Sequence, residues 1–130
     1  MFAPTMSGRG SAKPTPEQRA ANNEDIVRRL FRDLHNRGDE RVAHEVIASP
    51  RLVQRLKSCL LRLRSASPAC HFTVDEIISL GDKVITRWTA NVLLAGRPVQ
   101  ASGLSVFRLF NGRIVGLWQN WDELRLVLAT

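Results

Sequence analysis

Residues 102–124, SGLSVFRLFNGRIVGLWQNWDEL, decide how the rest of the chain is read. Two runs rich in β-branched and aromatic residues meet at Asn111-Gly112. That pair accepts the left-handed backbone of a type I′ turn, the geometry that joins two antiparallel strands without splaying them. The stretch is therefore a β-hairpin. Its second strand delivers a lone carboxylate, Asp122, beside Trp118, Asn120 and Trp121. An acid in so aromatic and uncharged a setting has two readings. It exchanges protons in a pocket, or it caps a final helix, DELRLVLA, by accepting backbone N–H bonds.

Working upstream, the pattern keeps a period of two. HFTVDEIISL (71–80), KVITRWTANVLL (83–94) and VQASGLSVFRLF (99–110) read as strands, separated by Gly81-Asp82 and by AGRP (95–98). Before residue 70 the period is helical. Thr15-Pro16-Glu17-Gln18 carries an N-cap, a first-turn proline and the third-position glutamine of a capping box. Ile26, Val27, Leu30, Phe31 and Leu34 then share one face, and Gly38 suits the helix stop. A short second helix carries Val42, Ala43, Val46 and Ile47. Ser49-Pro50 begins a third, which buries Leu52, Leu56, Leu60 and Leu63. Helices followed by an antiparallel meander define an α+β domain of about four strands, with the helices packed on a curved sheet and a short helix at the end. The domain is expected over 16–130, after a disordered leader over 1–15 that mixes Pro, Gly and Ser.

Composition narrows the function classes. The chain has 130 residues, of which 44% are hydrophobic, which suits one core. No apolar run is long enough for a membrane helix and no signal-peptide core precedes the first helix, so a cytoplasmic location without membrane contact is expected. The net charge is +7, with 19 basic residues against 12 acidic ones. The basic cluster Arg51, Arg55, Lys57, Arg62 and Arg64 reads as the solvated face of the third helix. No nucleic-acid-binding motif accompanies it, so nucleic acid is not the expected partner. Cys59 and Cys70 are expected to remain thiols. No His/Cys/Asp/Glu spacing suggests a metal site, and no cofactor is expected. His35, His44 and His71 read as structural, His35 and His44 on helices near polar neighbours. Arg87 and Arg108 read as facing solvent or a subunit interface.

Strand parity offers candidates for the pocket. In a regular strand Trp118, Asn120 and Asp122 share a face, with Ser105, Gly103 and Ala101 opposite them across the hairpin. Asn120 could then donate to a developing oxyanion. Gly103 either leaves room for a flat substrate or marks a bulge, which would flip the parity and turn Ser102 or Arg108 inward. Trp88, Trp118 and Trp121 are core residues or the aromatic walls of a ligand cavity.

Three segments resemble the SnoaL-like polyketide cyclases. NNEDIVRRLFRDLHNRGD (22–39) is similar to their first helix, FTVDEIISLGDKVITRWTANV (72–92) to their central strands, and the opening hairpin to their last, with a W-x-x-x-D pattern at Trp118 and Asp122. The resemblance implies the cystatin-like cone of the nuclear-transport-factor superfamily, which also holds ketosteroid isomerases. It implies Asp122 as the acid/base of a metal-free aldol closure, as in antibiotic biosynthesis. Trp88, Ser102, Trp118, Asn120 and Trp121 become the substrate contacts, the ligand a small hydrophobic carbonyl compound, and the protein a homo-oligomer, dimer or tetramer. Short segments after the second helix and after RWTA, and Gly116-Leu117 where family members often carry a glutamate, leave a second reading. That alternative is a non-catalytic binding or dimerisation module of the same fold.

Overall fold

A computed structural model describes residues 13–121. The expectations for the leader over 1–12 and for the closing helix lie outside these residues. Helix α1 (Pro16–Arg29) opens with the anticipated capping box: the Gln18 amide donates to Thr15 Oγ1 at 3.1 Å, and the Thr15 amide donates to Gln18 Oε1 at 2.8 Å. It continues into a π-helical segment, Leu30–Asn36, which periodicity did not reveal. Helix α2 (Glu40–Val46) starts on Asp39, and α3 (Pro50–Ala66) on Ser49, whose hydroxyl accepts from the Leu52 amide.

Strands β1 (His71–Leu80), β2 (Lys83–Leu94), β3 (Arg97–Phe110) and β4 (Arg113–Trp121) form one antiparallel sheet in the order β1-β2-β3-β4. Asn111 and Gly112 take φ of 51° and 76°, the two left-handed positions expected of the β3–β4 turn. The inner face of the sheet packs on the helices through Phe72, Val84, Trp88, Ala90, Val92, Phe107, Leu109 and Ile114. Val27, Leu30, Phe31, Val53, Leu56 and Leu60 meet them from the helical layer.

Polar ties hold the two layers in place. The Asn36 side chain donates to the Phe72 carbonyl at 2.9 Å and accepts from the Phe72 amide at 2.7 Å, closing the end of the π segment onto β1. The Ser67 hydroxyl accepts from the Leu93 amide at 2.9 Å. At the opposite edge Ile47 bridges to Ile114, and Arg113 donates to the carbonyls of His44 and Ile47, fixing the α2–α3 connection on β4. Apart from the exposed bond to the His44 carbonyl, these ties satisfy half-buried backbone groups.

Two bulges set which side chains face inward. In β1 the register slips between Val74 and Glu76, leaving Asp75 unpaired. In β4 Leu109 pairs with Ile114 while Arg108 pairs with Gly116, so Val115 is the extra residue. Ile114 and Leu117, three apart, are both buried. From Val115 onward the odd-numbered positions of β4 face the core and the even ones face out.

Candidate functional site

The inner face of the sheet carries an aromatic cluster built from four elements. Trp88, only 1% exposed, lies in β2, and its indole N–H donates to the Ser105 hydroxyl of β3 at 2.9 Å. Trp121 of β4 meets it edge-on, with ring centres 4.8 Å apart and planes at 74°. Phe72 of β1 touches both indoles, at 5.3 and 6.1 Å. His35 of the π segment closes the cluster, stacked on Phe31 at 4.2 Å and edge-on to Phe72 at 5.1 Å. Edge-to-face pairs of this kind suit the ring quadrupoles and add to simple burial.

Trp88 lies flat over Gly103. A Cβ added at Gly103 would come within 2.0 Å of the indole's six-membered ring. The glycine is required by this contact, since its backbone pairs regularly with Trp88 and Trp121. Room for a flat substrate beside Gly103 was one of two expectations; that space is instead filled by the chain's own Trp88. The parity-changing bulge belongs to β4 at Val115.

The register reassigns the other candidates. Trp118 pairs with Val106 and Asn120 with Leu104, whereas the regular hairpin would have set them opposite Ser105 and Gly103. Trp118 and Asn120 do share a face, as expected, but it is the outer one, and Trp118 is 57% exposed. Ser102 and Arg108 also stay on the outer face. From β4 the helices are met by Leu117, Gln119 and Trp121, and the Trp121 indole N–H donates to Gln119 Oε1 at 3.0 Å. Trp88 and Trp121 are thus brought together inside, while Trp118, Asn120 and Ser102 lie outside. Asp122 falls outside the described residues.

A groove of about 480 Å³ opens between α3 and β4. Leu52, Leu56 and Leu117 form its apolar part; Arg55, Ser58, Cys59, Arg62 and Gln119 contribute its polar groups. The volume is that of a small-molecule site. Sequence reasoning missed this groove because Leu117 and Gln119 were read on the wrong face. The available signal was the Ile114–Leu117 spacing of three, which no regular strand produces when both are buried.

His35 was expected on a helix near polar neighbours; it is fully buried and packs against Phe31 and Phe72. Burial pulls its pKa from the ordinary 6.5 down to about 4; the Leu30 carbonyl, 3.3 Å from Nδ1, opposes the shift, and the charge of Arg64 adds to it. The ring is neutral at pH 7. Folding therefore excludes a proton that the unfolded chain binds. Its contribution is complete above pH 6.5 and falls away as pH drops toward 4, by on the order of 3 kcal/mol. Urea midpoints measured between pH 7.5 and 4.5 should show this loss, and His35→Leu should flatten the slope. An unchanged slope in the variant would place the sensitivity elsewhere.

Other titrating groups are structural. The Asp33 carboxyl lies below its usual range because Arg32 donates to it, with further help from Arg37 and Arg29. Burial pushes the Cys70 thiol up, and neither cysteine forms a disulfide. Among the described residues no cluster of His, Cys, Asp or Glu could hold a metal ion, and no helix is long and apolar enough to cross a membrane.

Helices laid on the inner face of a four-stranded antiparallel meander define an α+β cone of the nuclear-transport-factor type. The chain belongs to the SnoaL-like domain family, whose sequence profile matches residues 39–117. That match ends one residue before Trp118. Among solved structures, wild-type IdmH of Streptomyces antibioticus, a candidate polyketide cyclase, is 23% identical, with a TM-score of 0.74 over 82% of this chain and 96% of its own. A candidate polyketide cyclase of Bacillus cereus is 16% identical, with a TM-score of 0.79 over 89% and 84%. AclR of Streptomyces galilaeus, a candidate hydroxylase, is 15% identical, with a TM-score of 0.73 over 84% and 95%. At such identities these likenesses establish the fold. No curated protein matches the chain in sequence.

Proposed function

We propose that the chain is a SnoaL-like cyclase or isomerase that acts on a polyketide-derived or similar carbonyl compound by acid/base chemistry, with Asp122 as the group that moves the proton. In an aldol closure the carboxylate takes a proton from the carbon next to a carbonyl. The enolate attacks a second carbonyl of the same molecule, and the new alkoxide takes a proton back from the carboxyl group. Desolvation beside aromatic rings raises a carboxylate's pKa and strengthens it as a base. The observation that carries this reading is the groove sized for a small molecule between α3 and β4, whose lining residue Gln119 accepts from the indole of Trp121, the residue before Asp122 in the chain. The fold alone does not choose the reaction, since similar cones are described as cyclase and as hydroxylase candidates. Turnover of a cyclisable polyketone ester by the wild-type chain, lost in Asp122→Asn, is the test.

A second reading, a module that binds or assembles without catalysis, draws on the outer face. Ile78, Ile85, Val106 and Trp118 stand in one cross-strand row over all four strands. Leu104 extends the row toward the Arg87–Glu76 ion pair. A bare row of this kind is a contact surface, and its mixed apolar and paired-charge make-up suits a second copy of the chain. Trp118→Arg is expected to convert a dimer to a monomer in sedimentation velocity, with the far-UV spectrum unchanged. A wild-type monomer at high concentration would remove this surface from consideration.

A further inference from the structure

Helix α3 carries Arg51, Arg55, Lys57, Arg62 and Arg64 and not one acid. Two of these cations are engaged: Lys57 pairs with Glu40 at 2.6 Å, and Arg64 donates to the His35 carbonyl. Arg55 and Arg62 are different. Both border the α3–β4 groove, and among the described residues neither forms an ion pair. Seven residues apart, they stand two helical turns from each other on one face, about 10 Å along the axis, with Ser58 between them. A guanidinium side chain is long enough for both forks to turn toward a ligand lying over Ser58. The opposite wall offers Gln119, and the groove floor offers Leu56 and Leu117.

We infer that this groove binds an organic anion, an apolar body bearing a carboxylate or phosphoryl group, with Arg55 and Arg62 holding the charged end and Leu56 and Leu117 the carbon skeleton. The inference rests on the small-molecule reading of the groove and names the class of molecule it takes. Two guanidinium groups on one helix face, with no acid on that helix to answer them, add their attraction for an anion placed between them. Guanidinium forks fit carboxylate and phosphoryl oxygens in paired hydrogen bonds. A wholly neutral polyketone would use the leucines and leave both arginines unanswered.

The test uses the full chain and three probes that share one ring system: 2-naphthoate, 2-naphthyl phosphate and 2-naphthamide. Affinities are measured by calorimetry at low and high salt, and the site is mapped by amide chemical shifts. Either anion should bind on the order of 10-fold tighter than the amide, with the largest shifts around Leu117 and Gln119 and a preference that shrinks with salt. The carboxylate arm against the phosphoryl arm identifies the anion source. Arg55→Gln/Arg62→Gln should bring both anions to the level of the amide without changing the circular dichroism. Equal affinity for the amide, or a preference that survives the double substitution, would overturn the anion assignment while leaving the groove a neutral-ligand site. Shifts that map away from the groove for all three probes would overturn both. Loss of turnover in Asp122→Asn bears on neither result.

Discussion

Asp122→Asn is expected to lower turnover of a cyclisable polyketone ester by about 10²–10⁴-fold while leaving ligand affinity within about threefold. The substitution separates two roles that a carboxylate can play after a strand. Asparagine is as good an N-cap as aspartate, since its amide oxygen still accepts backbone N–H bonds. If residue 122 only starts the last helix, Asn preserves that function and both turnover and Tm are retained. If it removes and returns a proton, the amide can do neither, and the loss falls on kcat with little change in KM. Asp122→Ala complements it, removing the cap as well, at about 1 kcal/mol in stability. A variant Asp122→Asn with full kcat on the substrate the wild type converts would withdraw the acid/base assignment and leave the binding-module reading in possession of the fold.

Much of the architecture is legible because it depends on local signals. The Thr15–Gln18 capping box, the Ser49-Pro50 start of α3 and the Asn111-Gly112 turn each follow from one or two residues, and each is where it was expected. The facing of residues in β4 is not local. It turns on one extra residue, Val115, in a run (RIVGLWQNW) with no proline to announce the irregularity. A single-residue slip moves every later side chain to the other face, which sends Trp118 and Asn120 outward and brings Gln119 and Trp121 inward. The π segment is hidden for a similar reason. Val27, Leu30, Phe31 and Leu34 fit an ordinary helical stripe, and only the burial of His35 beside Leu34 betrays the wider turn. The family resemblance pointed to the cone and to Asp122, but it could not say which tryptophan lies inside. That follows from register and from the empty Cβ position of Gly103.

Gly103→Ala is expected to cost about 3 kcal/mol of stability, seen as a fall of roughly 10 °C in Tm. The added methyl group would lie 2.0–2.5 Å from three atoms of the Trp88 ring, far inside contact distance. The ring has nowhere to go. Its N–H is held by Ser105, one side meets Phe72, and Trp121 blocks it edge-on. The strand cannot bow outward without breaking the Gly103 pairings to β2 and β4. The cause can be isolated by removing the obstacle. Trp88→Leu is itself destabilising by about 3 kcal/mol, through lost contacts and an unpartnered Ser105 hydroxyl. In that background Gly103→Ala should cost under about 1 kcal/mol, because the methyl group enters the space the indole has left. The double-mutant cycle therefore predicts a coupling of about 2 kcal/mol, large for a pair of positions joined by one contact. Additive losses would mean that the alanine acts through the strand backbone, and that the indole does not lie where it sets the shape of the inner face. The coupling also bears on ligand binding: Trp88→Leu opens space beside Trp121 that the wild-type indole fills, so a small aromatic ligand should bind the variant more tightly.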